Sequence, residues 1–409
     1  MVSGKPSARS TTRRRQRPAA QPPKILFRLH VLAIPHTISR ADYAGCAYTA
    51  NVVNFCKMMT RRGHHVIHYG HEASKVECSE HVTVMRDADL KAAYGEFDWK
   101  RGLLQHRIGD LAHRTFNERA TAAVVARRAP AGVTEILLLF WGQGHKPVAE
   151  ALPDLLSVDP GLGCFNAPAT DHTVYVSYAL QSHILGKTGK GPGATDAVIP
   201  NYFDLTEFAP RLGPAPKPYL VFFGRLIKSK GIDIAVAVAK RLNIPLKIAG
   251  QGGLAAALPA GLKPPEGLVE HVGYLEPAGR ATLLAGAAAL IAPSQYDEPF
   301  GKVVIEAGLC GTPVITSDWG GFSEIVLQGI TGYRCRTEEH FVAAGRLVLE
   351  GRIQRRACRA WAAANFSLEK VAPMFETYFQ RISGLAEASS GTAALEELEA
   401  MRREYPSLK

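Results

Sequence analysis

The chain has 409 residues, enough for two domains that each bury a core, and its 46% hydrophobic and 21% charged residues exclude a wholly disordered polymer. No apolar run reaches membrane-spanning length, the longest being Ala281 to Ala292, and no secretory pattern is seen. The net charge is +11, and Lys5, Arg9, Arg13, Arg14, Arg15 and Arg17 carry six of those charges within the first 23 residues, without one acid.

Residues 1–23 are otherwise rich in Pro, Ser, Thr and Gln, so a disordered basic arm is expected, with almost nothing apolar to bury. Its plainest reading is a solvated leader. Six cations also suit contact with nucleic acid or an anionic membrane. Seven scattered cysteines, Cys46, Cys56, Cys78, Cys164, Cys310, Cys335 and Cys358, form no Cys-x-x-Cys pair. Reduced thiols in a cytoplasmic protein are therefore expected, rather than a zinc knuckle or a disulfide framework; through the arm the protein would be peripheral to membrane or DNA.

From Lys24 the pattern alternates strand and helix, which predicts a doubly wound parallel sheet over residues 24–204. A buried strand over Lys24–Ile34 leads to Ile34-Pro-His-Thr37, and a helix beginning near Cys46 puts Tyr48, Val52, Phe55 and Met59 on one stripe before Gly63. His65–Tyr69 is the next strand, Leu103–Arg128 a helical stretch, and Glu135–Trp141 a strand ending in Gly142-Gln-Gly144. Val174–Val176 and Ala197–Ile199 are the remaining strands of this half.

A linker is expected over residues 205–218, where prolines gather between Pro210 and Pro218. A second alternation, over residues 219–370, places strands at Tyr219–Phe223, Leu246–Ala249, Ala289–Ala292 and Pro313–Thr316. Residues 371–385 follow as a C-terminal helix, then 386–409 as a polar tail. Two such sheets side by side enclose a cleft at the carboxyl ends of their strands, where ligands of this architecture bind.

The most informative run is Glu298-Pro-Phe-Gly-Lys-Val-Val-Ile-Glu306. Pro299 fixes the backbone where a helix can begin, Gly301 lets a ligand approach the exposed amides of Phe300 to Lys302, and Gly311 ends the helix. A helix N-terminus facing a cleft is an anion site. Glu298 stands just before it, and Glu306 lies five residues beyond Gly301, roughly 7–8 Å at the helical rise. A sugar, a diphosphate and a ribose have that layout. Arg225 and Lys230, on one loop after Gly224, offer two fixed cations that neutralise a departing diphosphate without a metal. Gly250-Gln-Gly252 is weak as a dinucleotide fingerprint, lacking the third glycine and the acid on the ribose. Asp87-Ala-Asp89 reads as solvated surface rather than a metal motif, so no metal site and no cofactor is expected.

His36 and His145 stand where a doubly wound domain presents its loops to the cleft, which makes them candidates for touching the transferred sugar or the acceptor. Thr37 is an acceptor-side candidate beside His36. A lone histidine is more often structural than catalytic.

Phe223-Gly-Arg-Leu-Ile-Lys-Ser-Lys-Gly231, Ile248-Ala-Gly-Gln-Gly252, Val272-Gly-Tyr274, Ala292-Pro-Ser294, Gly311-Thr-Pro-Val-Ile315 and Gly320-Gly-Phe-Ser-Glu-Ile-Val326 accompany the paired glutamates in order. This set, covering Tyr219 to Tyr333, resembles the retaining GT-B glycosyltransferases of the family 4 type, glycosyl transferases group 1. The first half is similar more loosely, also to members carried by bacteriophages, through Ile34-Pro-His-Thr37 and Val198-Ile-Pro-Asn-Tyr-Phe-Asp204.

The resemblance implies two Rossmann-like domains facing a central cleft, the 371–385 helix packing back on the first domain, and a metal-independent transfer from a nucleoside diphosphate sugar, UDP-linked, to an acceptor on the first domain. It assigns Arg225 and Lys230 to the donor phosphates, Gly250 and Gly252 to the nucleotide pocket, and Val272 and Tyr274 to the base. Glu298 would serve the sugar, Glu306 the ribose diol. The acceptor is open between glycan, lipid, small molecule and a hydroxymethylated base in DNA, the last suggested by the arm; a nucleotide-sugar epimerase on the same fold is the remaining alternative.

Overall fold

A computed structural model describes residues 26–43, 46–98, 104–213 and 218–384. The basic arm and the polar tail lie outside the described residues. The first sheet has seven parallel strands, β1 (Arg28–Leu32), β2 (His65–His71), β3 (Glu80–Met85), β4 (Glu135–Leu139), β5 (Leu156–Leu162), β6 (His172–Tyr175) and β7 (Ala197–Val198), in the order β3-β2-β1-β4-β5-β6-β7. The second has six, β8 (Leu220–Phe223), β9 (Leu246–Ala249), β10 (Val269–Gly273), β11 (Ala289–Ala292), β12 (Val314–Ser317) and β13 (Gly332–Cys335), in the order β10-β9-β8-β11-β12-β13. Both are doubly wound, as expected.

A strand covered by helices on both faces is buried on both, and in β1 every residue after Arg28 is buried, His30 included, its ring nitrogens 2.8 Å from the Tyr69 hydroxyl and 3.1 Å from Glu135 Oε1. Leu29 and Val31 meet the stripe Val52, Phe55 and Met59 of the helix Ala47–Arg61. Leu32 points the other way, with Ile67 and Tyr69, into Phe116, Ala120 and Val124 of the helix Leu111–Val125. That helix is shorter than its sequence suggests. It begins where the Asp110 carboxylate accepts from the His113 amide at 3.1 Å, an N-cap that leaves residues 104–110 as loop.

The chain crosses between the two domains twice, and the crossings touch. Phe203 N donates to Phe366 O at 2.9 Å, and Leu368 N donates to Phe203 O at 3.2 Å. Beyond the second crossing the helix Leu368–Ile382 inserts Val371, Phe375 and Phe379 into the core of the first domain. Glu376 of this helix accepts from Arg62 at 2.7 Å and lies 2.8 Å from His64 Nε2. Residues 205–213 lie along the second domain, with Phe208 in its core and Arg211 N bonded to Cys310 O at 3.0 Å. Among the described residues no cysteine is paired in a disulfide, and no helix is long and apolar enough to cross a membrane.

Phe375 meets Phe55 edge-on, with ring centroids 5.2 Å apart, and is buried. Phe375→Ala should therefore destabilise the first domain by about 3–5 kcal/mol, as a large buried aromatic does on truncation. Chemical denaturation followed by tryptophan fluorescence measures it; a loss below about 1 kcal/mol would mean that the C-terminal helix is not part of that core.

Candidate active site

β8 and β11 are neighbours in the second sheet, so the loops leaving their carboxyl ends meet at the cleft. The loop after β8 carries Gly224, Arg225 and Lys230; the loop after β11 carries Ser294, Tyr296 and Glu298. Lys230 Nζ donates to Glu298 Oε2 at 2.6 Å, Ser294 Oγ donates to the same oxygen at 3.1 Å, and the Lys230 ammonium lies 5.0 Å from the Tyr296 ring centre. Burial, then the neighbouring Glu298 charge, pushes the Tyr296 phenol well above its ordinary range, so it stays protonated. Arg225 is exposed on the same loop. Both cations thus stand on the Glu298 side of the site, as their spacing suggests, but Lys230 is paired with Glu298 itself.

Three strand ends close the other wall. Gly250 N donates to Gly273 O at 2.9 Å, Gly224 N to Ala249 O at 3.1 Å and Leu226 N to Gln251 O at 2.8 Å, so the loops after β8, β9 and β10 are bound together. Gly250 has φ +145°, and a Cβ there would fall 1.7 Å from Gly224 O. Only glycine permits that approach. Gly252 follows against Leu226, and Val272 and Tyr274 stand half-buried at the end of β10.

The helix Lys302–Leu309 starts at Gly301, whose φ of +92° turns the chain into it. The Phe300 side chain is buried, edge-on to Phe366, which leaves its backbone rather than its ring for the cleft. Glu306 is buried one and a half turns along the helix, with Arg280 Nη1 3.4 Å from its Oε1. Sequence reasoning missed Arg280: a lone arginine in the helix Pro277–Gly286 carries no local signal.

Lys302 reaches across the cleft. Its ammonium donates to Asn51 Oδ1 at 2.8 Å and Ala47 O at 3.3 Å, and Asn51 in turn donates to Asn201 Oδ1 at 2.8 Å. Burial, partly offset by Glu306, lowers its pKa to about 8. Other contacts cross beside it: Ser177 Oγ donates to Pro299 O at 2.6 Å, and the Tyr178 and Ala179 amides donate to Glu324 at 3.0 and 2.7 Å.

The first-domain candidates differ from expectation. His145 is inaccessible to solvent; its Nε2 donates to Ala33 O at 2.8 Å, its Nδ1 lies 3.2 Å from Asn117 Oδ1, and burial lowers its pKa to about 3. It is a structural histidine that ties β4 to β1, and it does not face the cleft. The Thr37 hydroxyl is equally occupied, 2.7 Å from Thr49 Oγ1. His36 is buried in a cluster that the sequence did not suggest, stacked on His106 with centroids 4.0 Å apart and edge-on to Trp141 at 5.0 Å. The absence of a metal-binding group was also expected; His36, His106 and His113 nevertheless bring one ring nitrogen each within 4.8 Å of one another.

Paired Rossmann-like domains with the site between their strand ends make this a GT-B fold. Residues 206–364 match the family model described as glycosyl transferases group 1. A glycogen synthase of Mycobacterium tuberculosis is 35% identical over 201 residues, 44% of this chain and 48% of that protein. The chain thus matches about half the length of this curated relative. Among solved structures, a sucrose-phosphate synthase from Thermosynechococcus elongatus aligns over 88% of this chain and 100% of its own with a TM-score of 0.63 and 18% identity. Anabaena HepE in complex with UDP and glucose aligns over 88% and 99% with a TM-score of 0.61 and 16% identity. These two likenesses establish the fold.

A Cβ on Gly301 would lie 2.3 Å from Phe322 Cε1, in a backbone conformation that side chains avoid. Gly301→Ala should cost the second domain about 2 kcal/mol or more, from strain and overpacking together. Denaturant titration checks it; unchanged stability would show that the turn into the helix tolerates a side chain.

Proposed function

We propose that the protein is a retaining glycosyltransferase that moves a sugar from a nucleoside diphosphate sugar, UDP-linked, to an acceptor hydroxyl held against the first domain. The observation that carries this reading is the order along one cleft wall: Glu298 with Lys230, then the start of the helix Lys302–Leu309, then Glu306. The group 1 match over the domain holding these residues supports it, as does the UDP and glucose bound to HepE on the same fold.

In this reading the diphosphate takes the helix N-terminus together with Arg225 and Lys230, and Glu306 accepts from the ribose hydroxyls. Glu298 holds the sugar hydroxyls and stabilises the positive charge that develops at the anomeric carbon. The bond from that carbon to the β-phosphate oxygen breaks, the bond to the acceptor oxygen forms on the same face, and the acceptor proton passes to the leaving phosphate oxygen. His145 takes no part. Two cations and a helix dipole supply the charge that a metal would otherwise bring to the phosphates.

Glu298→Gln should lower kcat by about 10²-fold or more, since it removes charge aimed at the transition state. Glu306→Ala should act on donor affinity instead, by about 1.5–3 kcal/mol for bonds to a charged acceptor. Steady-state kinetics with a donor panel separates the two; equal kcat losses at unchanged donor affinity would contradict the division. Slow donor hydrolysis should also continue in EDTA. Its loss, with recovery on added Mg²⁺ or Mn²⁺, would contradict metal-free donor chemistry.

A further inference from the structure

We propose that His36, His106 and His113 form a binding site for one divalent transition-metal ion of the zinc class, on the first-domain wall of the cleft. The three rings come from separate places in the chain: the loop after β1, the loop before the helix Leu111–Val125, and the first turn of that helix. One ring nitrogen of each lies within 4.8 Å of the other two, close enough for a single ion to draw together.

His113 is already arranged as a ligand. Its Nδ1 donates to Asp110 Oδ1 at 2.7 Å, which leaves the lone pair on Nε2, where it accepts from Trp141 Nε1 at 2.9 Å. A carboxylate behind an imidazole is the usual support of a metal-bound histidine, because it fixes the tautomer and raises the basicity of the other nitrogen. His36 and His106 supply the second observation: the Nδ1 of each is buried, and neither has a hydrogen-bond partner among the described residues. Buried polar atoms are nearly always satisfied by protein, water or an ion. His36 is only 8% exposed, so its Nδ1 is withdrawn from bulk solvent.

Three neutral imidazoles without a thiolate suit zinc, with copper and nickel as competitors, and leave a fourth position open. The stacked rings of His36 and His106 cannot both aim a lone pair at one point. Ligation therefore turns His106, on its loop, and releases the Trp141 N–H. The ion would pin residues 104–110 to the ends of β1 and β4. Trp141 is also edge-on to Tyr48, one residue from the Ala47 carbonyl that accepts from Lys302, so the site borders the cross-cleft contacts. None of this depends on the donor reading.

The test is titration of full-length, chelator-stripped protein with Co²⁺ and then Zn²⁺. One equivalent of Co²⁺ should give the visible absorption of a low-coordinate nitrogen site, displaced by one equivalent of Zn²⁺. His106→Ala should weaken binding at least 100-fold, and Asp110→Asn about 10- to 100-fold. Circular dichroism establishes that each variant is folded; if His36→Ala is not, His106→Gln on the loop decides. His71, Glu72 and Asp87 make a second group in which only the two carboxylates are exposed, so Asp87→Asn is the control and should change nothing. Stoichiometric binding that survives His106→Ala, binding lost only in Asp87→Asn, or no uptake by the wild-type protein would each overturn the proposal.

Discussion

The Glu298–Lys230 ion pair is the constraint around which the second domain's cleft wall is organised. It joins the loops after β8 and β11, at 2.6 Å, with both side chains largely withdrawn from water. Such a pair is worth little net stability, because desolvation offsets most of the attraction, yet losing one member strands the other's charge. The pair can form because Gly250 lets the loop after β9 approach Gly224, so that the loop carrying Lys230 is held from behind. In the proposed reading a diphosphate draws the Lys230 ammonium away and leaves Glu298 free for the sugar.

The second constraint is the double crossing at Phe203 and Ser367. Two adjacent strands of chain make a narrow connection, suited to the hinge motions by which paired domains close on a ligand. Lys302 on Asn51 and Glu324 on the first-turn amides of the helix Tyr178–Thr188 oppose opening. Both are charge-assisted, and Glu324 also complements a helix N-terminus. Lys302 occupies the first position of the helix whose N-terminus faces the cleft, so contact across the domains and the proposed phosphate site share a residue.

Much of this was legible because apolar runs and the glycines after them mark parallel strands and their loops. β1, β2, β4, β8, β9, β11 and β12 follow from that pattern. The edge strands β3, β10 and β13 were missed although the edge strand β7 was read: β10 and β13 hold too few apolar residues to form a run, and β3 alternates Val82, Thr83 and Val84 instead of presenting one. β5 was missed for another reason: Asp159-Pro160-Gly161 reads as a turn, whereas the sheet carries Pro160 at an irregularity between Asp159 and Leu162. The paired glutamates were readable from spacing, as contacts within one helix and its lead-in. The histidine cluster was not, because residues 36, 106 and 113 meet only when the sheet has formed. His145 misled for the same reason: its place after a strand is right for a cleft, but it turns inward to Ala33.

Calorimetric titration of UDP into the wild-type protein, Glu298→Gln and Lys230→Met tests the central claim most directly. If Glu298 restrains the cation that the diphosphate needs, Glu298→Gln should bind UDP as tightly as the wild type or tighter, while Lys230→Met should bind at least about tenfold more weakly, the loss of one charge-assisted contact. Glu298→Gln weakening UDP as much as Lys230→Met would contradict the account, because Glu298 would then belong to the nucleotide site itself rather than to the sugar.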